Sequence, residues 1–153
     1  MPLTEPTNLP QALIEHLADA VIFADRDGVI RLWNAGAEAV FGYSEGEVLG
    51  QGLDLLIPER LRAAHWAGFD AAIQTGDMKH GRESMTTRST HKDGRGLYLD
   101  LSFALVKDAS GEVLGAVAVA RDITDRFQAE KASRRRLAEL EEQVRALSAR
   151  QDA

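Results

Sequence analysis

Residues 97–105 read LYLDLSFAL, with Leu97, Leu99, Leu101, Phe103 and Leu105 alternating with Tyr98, Asp100, Ser102 and Ala104. A period of two over nine residues predicts an extended strand with one apolar face for a core and one mixed face. Before it stands the turn Lys92-Asp93-Gly94, and from Gly81 up to that turn the period is again two, with Met85, Thr87 and Ser89 on one face and Thr86, Arg88 and Thr90 on the other. After it, Asp108 to Gly111 (DASG) is a second turn and Val113 to Ala120 (VLGAVAVA) a strand of small residues. Strands joined by tight turns pair antiparallel, so this half of the chain predicts an antiparallel meander.

Upstream, Ala20 to Ala24 (AVIFA) and Val29 to Trp33 (VIRLW) flank Asp25 to Gly28 (DRDG), which predicts a hairpin. Between that hairpin and the meander the pattern is helical. Asn34 stands as the cap of a helix over AGAEAVFGY, and Ser44 with Glu47 is the capping-box signature of a short helix over SEGEVLG. Leu53 to Ile57 is apolar and ends at Pro58, which suits the first turn of a longer helix running to about Gln74 and stopped by Thr75-Gly76-Asp77. Leu9, Leu13, Ile14 and Leu17 predict a short helix over residues 10–18. The resulting order is helix, two strands, a cluster of helices, three strands and a helix, an α+β fold with helices collected on one face of a sheet. We expect a loose leader over residues 1–8, a globular domain over 9–122 and a C-terminal helix over 123–153.

The chain has 153 residues, 44% hydrophobic and 27% charged, enough for one ordinary domain with an appended element. Net charge is −6, and the basic residues are dispersed among acids, which argues against a nucleic-acid surface. Arg134 to Arg136 is too short a basic run to imply one. There is no cysteine, which excludes disulfides, thiolate-held metals, covalent c-type haem attachment and cysteine-based photochemistry. No basic-then-apolar leader and no long apolar run is present, so we expect a cytoplasmic protein without a membrane span.

The order of elements, carrying LWNAGAEAVFGYSEGEVLGQ in the helical cluster, THKDGRGLYLDLS across a strand turn and VARDITDR at its end, resembles the PAS family over about residues 9–126. The resemblance implies a five-stranded antiparallel sheet whose concave face, closed by helices, holds a cofactor or only side chains. Asp122 and Thr124 fall where the last strand passes into the exit helix and are expected to cap it.

One helix carries the candidate site. Leu61, His65, Phe69, Ala72 and Ile73 fall on one stripe, so His65 points where the apolar residues point. Spacing alone reads first as a core histidine satisfied by a backbone carbonyl or a partner side chain. The segment LDLLIPERLRAAHWAGFDAAIQTG is similar to that of the haem-binding PAS oxygen sensors, the FixL-type kinases and the direct oxygen sensor phosphodiesterases. The resemblance implies His65 as proximal ligand of a b-type haem, within a pocket lined by Phe69, Ile73, Leu99, Leu101, Phe103 and Trp33. Twenty residues after that histidine those sensors place an arginine that hydrogen-bonds oxygen. This chain has Met85 there, and Glu83 where the phosphodiesterases place a ligating methionine. Met85 is thus either a second iron ligand or a soft core residue. His80 reads as a surface histidine, and His16 and His91 as peripheral.

Leu137, Leu140, Val144 and Leu147 are spaced three, four and three, a coiled-coil seam with Glu139, Glu141, Glu142 and Arg145 around it. This predicts a homodimer passing its signal to a downstream partner or output domain. No histidine follows His91, and no phosphate loop, cyclase motif or nucleophile–base pair is recognisable. The expectation is a signal-transduction module, not an enzyme, binding haem b and sensing a small gas or redox state. A cofactor-free interaction module and a flavin redox sensor are the alternatives.

Overall fold

The computed structural model describes residues 8–79 and 83–152. Its elements are α1 (Leu9–His16), β1 (Ala20–Asp25), β2 (Ile30–Trp33), α2 (Ala35–Phe41), α3 (Glu45–Val48), a 3-10 turn (Leu53–Leu55), α4 (Glu59–Thr75), β3 (Met85–Thr90), β4 (Gly96–Lys107), β5 (Val113–Asp122) and α5 (Thr124–Gln151). Two units divide between Asp122 and Ile123.

The first unit is an α+β fold built on one five-stranded antiparallel sheet, in the order β2-β1-β5-β4-β3. Its central pairing joins the first strand to the last, Ile22 opposite Ala118 and Ala20 opposite Ala120. On the other side Leu101, Phe103 and Leu105 lie opposite Ala120, Ala118 and Ala116. Because side chains alternate across a strand, β5 offers the inner face Ala116, Ala118 and Ala120 between the bulkier rows of β4 and β1.

At one end the inner face of the sheet is packed as a closed core. Ile22, Ile30, Trp33, Ala37, Phe41, Val48, Leu56, Leu97 and Leu99 form the core under α2 and α3. Trp33 is 2% exposed, its ring lies 5.3 Å from that of Phe41, and its indole N–H donates to the Tyr43 carbonyl at 3.0 Å. Asn34 caps α2 as expected, its Oδ1 accepting from the Ala37 N–H at 2.9 Å. The Glu47 carboxylate accepts from the Ser44 N–H at 2.8 Å at the start of α3.

The hairpin β3–β4 docks its turn against the α2–α3 connection. Lys92 donates its backbone N–H to the Phe41 carbonyl and pairs its ammonium with Glu47. His91 is not peripheral. Its side chain is 15% exposed, and a β-carbon on Gly42 would lie 2.5 Å from its Cε1; Gly42, at φ 80°, makes room for the ring. His80 lies outside the described residues, as do residues 1–7 of the expected leader. Of the period expected from Gly81, residues 81 and 82 also lie outside the described residues, and the described strand runs Met85–Thr90.

The second unit is a single 28-residue helix. Ile123, which has no side-chain oxygen, occupies its cap position. Of the two residues expected to cap it, Asp122 is the last of β5 and Thr124 the first of the helix. Leu137, Leu140, Val144 and Leu147 are 58, 41, 62 and 59% exposed. Among the described residues no helix is long and apolar enough to cross a membrane.

Candidate functional site

Helix α4 is positioned by ties at both ends and in its middle. At its start the Ser89 hydroxyl and the Thr90 N–H donate to the Leu56 carbonyl at 2.6 and 3.1 Å, and the Arg62 guanidinium donates to the carbonyls of Ile57 and Asp54. At its end Gly76 closes the helix with φ 70°, and Lys107 donates to the Gly76 carbonyl at 2.9 Å. Ser89 pairs with Leu97 near the start of β4, and Lys107 is its last residue. The helix therefore runs along the length of β4. In the middle, the Trp66 indole donates to the Asp54 carboxylate at 2.7 Å and sits on the β1–β2 turn, where a β-carbon on Gly28 would lie 2.2 Å from Trp66 Cη2.

These ties leave the stripe Leu61, His65, Phe69 and Ala72 half-buried and Ile73 buried. The His65 ring stacks on Phe69 at 5.9 Å and 26° and meets Trp66 edge-on at 4.9 Å and 82°. Its Nδ1 is buried without a hydrogen-bond partner among the described residues. Burial holds its pKa below the ordinary value of 6.5, against the upward pull of the Asp54 and Asp70 carboxylates. A neutral imidazole with an unspent nitrogen is the chemistry this arrangement supplies.

The expected pocket residues divide into two groups. Trp33 and Leu99 are each 2% exposed and belong to the closed core. His65, Phe69, Leu101 and Phe103 are half-buried, Ile73 is 8% exposed, and Met85, opposite Leu101 on the inner face, is 38% exposed. The sheet's inner face is thus sealed at the Leu97 end and open toward Phe103. Among the described residues no three His, Asp or Glu side chains converge as an ion cage, so His65 offers a lone donor.

Residue spacing did not single out Asp54, Trp66 or Gly28. The available signal was a tryptophan beside the apolar stripe instead of within it, which requires its own partner.

A family model described as the PAS fold matches residues 8–123. Among curated relatives, the signal transduction histidine-protein kinase AtoS of Escherichia coli is 28% identical over 140 residues, 91% of this chain and 21% of the kinase. The sensor protein FixL of Bradyrhizobium diazoefficiens is 28% identical over 141 residues, 92% of this chain and 26% of FixL. The oxygen sensor protein DosP of E. coli is 31% identical over 111 residues, 72% of this chain and 14% of DosP. The chain thus spans about a quarter or less of these relatives' length. Among solved structures, a PAS domain from Colwellia psychrerythraea superposes with a TM-score of 0.67 at 24% identity, over 76% of this chain and 95% of that one. An RNA-binding Light-Oxygen-Voltage receptor does so with a TM-score of 0.65 at 23% identity, over 93% of this chain and 41% of that one. Both structural likenesses bear on fold alone.

Proposed function

The chain belongs to the PAS family, and from that premise we propose a sensory signal-transduction module that holds b-type haem through His65 and relays its state to a dimeric C-terminal helix. The observation that carries this reading is the His65 imidazole, its pKa lowered by burial and its buried Nδ1 unpartnered among the described residues, on a helix tied along β4. The likeness to FixL and DosP, one named a sensor and the other an oxygen sensor, supports it.

Bound there, haem would supply an iron centre able to take a diatomic gas or change oxidation state. His65 would be the protein's donor to it, with Phe69 and Ile73 from α4 and Leu101 and Phe103 from β4 excluding water. The alanines of β5 give room where larger residues would fill the space. Met85 is the inner-face residue of β3 opposite Leu101. Its thioether is a soft ligand and a poor hydrogen-bond partner, so the reading favours carbon monoxide, nitric oxide or redox state over oxygen held by a donated hydrogen bond. The chain carries no catalysis of its own in this proposal, and its output lies with a downstream partner.

The route outward is β5. Its inner face reaches the open part of the sheet through Ala118, opposite Phe103, and its last residue, Asp122, is followed directly by α5 through Ile123. A shift of the strand is a shift of the helix start.

Absorption spectroscopy of the purified chain after hemin addition tests the reading. We expect an intense Soret band that His65→Ala removes or displaces. A band unchanged by that substitution would falsify the ligand assignment. A flavin spectrum or none at all would replace haem by flavin or by a cofactor-free interaction module.

A further inference from the structure

Adjacent residues on a helix point about 100° apart, so whatever fixes the direction of Trp66 also fixes that of His65. Trp66 is fixed twice. Its Nε1–H donates to Asp54 at 2.7 Å, and its six-membered ring occupies the space that only a glycine at position 28 leaves open. Gly28 also holds φ 75° in the β1–β2 turn. A side chain at that position would therefore be strained and would displace the indole together.

The fixed indole then shapes the place of the imidazole. Trp66 meets His65 edge-on at 4.9 Å and Phe69 edge-on at 5.4 Å, while His65 stacks on Phe69 at 5.9 Å. The three rings are in mutual contact, and the buried Nδ1 of His65 has no hydrogen-bond partner among the described residues. Its orientation is thus set by its neighbours' rings.

We propose that Trp66, braced by Asp54 and seated on Gly28, is the positioning residue that turns the His65 imidazole toward the interior. This rests on the reading of His65 as the site's donor. It adds a specific assignment: the β1–β2 turn and the segment ahead of α4 set the aim of the ligand, although neither supplies one.

The test uses the full chain and has two independent arms. In cofactor-free protein, the ring-proton resonances of His65, assigned by their loss in His65→Gln, report its position against the Trp66 and Phe69 rings. Asp54→Ala and Gly28→Ala both keep the tryptophan. Each is expected to move those resonances toward the values of an exposed histidine, while Asp54→Asn, which keeps an acceptor oxygen, restores them. In the second arm hemin is titrated, and Asp54→Ala and Gly28→Ala are expected to weaken His65-dependent binding about tenfold or more. Val48→Ala, a core truncation outside the ring cluster, controls for lost stability and is expected to leave the resonances in place.

If Asp54→Ala and Gly28→Ala lower the melting temperature yet leave the His65 resonances unmoved, Trp66 only glues α4 to the hairpin and the proposal is overturned. A wild-type chain that takes no hemin overturns the haem reading alone, and the resonance arm still decides the positioning role.

Discussion

Asn34 is 1% exposed and joins four segments. Its Oδ1 accepts from the Val21 and Ala37 N–H groups at 2.8 and 2.9 Å, and its Nδ2 donates to the carbonyls of Ile14 and Asp19 at 2.8 and 3.1 Å. Removing a buried partner leaves each of those groups short of a bond. Asn34→Ala is expected to cost about 3 kcal/mol of stability, read from the urea midpoint at unchanged slope. Of these bonds only the helix cap was legible in the sequence, since a cap needs only its own helix. The other three depend on where α1 and β1 come to lie. The same limit applies to histidine. The inward direction of His65 follows from spacing within one helix, whereas the packing of His91 on Gly42 depends on a hairpin meeting a loop about fifty residues away.

At the scale of elements, aspartates organise the hairpin turns. Asp108 accepts from the Ser110 hydroxyl and the N–H groups of Ser110 and Glu112, bonds that hold its carboxyl below the ordinary 3.8. Asp93, accepting from the Arg95 N–H and facing His91 and Arg95, is lowered likewise. For a carboxylate lowered on folding, the unfolded chain takes up the proton first, so the stabilisation is present above the unfolded value and lost as pH falls through the folded one. Going from about pH 6 to about pH 3, the wild-type urea midpoint should fall more than that of Asp108→Asn, which keeps an acceptor but does not titrate. Equal falls would remove the turn from the account. Helix α2 gives a prediction whose sign opposes propensity. Alanine is the better helix former by about 1 kcal/mol, yet a β-carbon on Gly36 would lie 2.2 Å from the Asp19 carbonyl oxygen. Gly36→Ala is therefore expected to destabilise by about 2 kcal/mol, measured by thermal or chemical unfolding.

For the whole molecule, the seam of Leu137, Leu140, Val144 and Leu147 is more than 40% exposed at every position, with i,i+3 pairs such as Arg145–Glu142 at 2.9 Å beside it. An apolar stripe of that length on a helix with no buried residue matches a parallel partner helix. Sedimentation of the full chain should show a dimer that Leu140→Asp with Val144→Asp converts to monomer. A monomer at high concentration, unchanged by the double substitution, would sink the dimer and with it the proposed readout.

By itself the sequence determined what depends on near neighbours. The period of two over residues 97–105, the turns at Gly28, Gly94 and Gly111, the caps at Asn34 and Ser44 and the stripe of α4 all arise from residues a few places apart, where backbone geometry is the whole constraint. Tertiary structure decided the rest. It placed β1 beside β5, sealed Trp33 and Leu99 into the core and left Phe103 and Met85 partly open. It also brought Gly28, Asp54 and Trp66 together around the helix that carries His65. Those contacts join residues far apart along the chain, and no local period records which distant surfaces will meet.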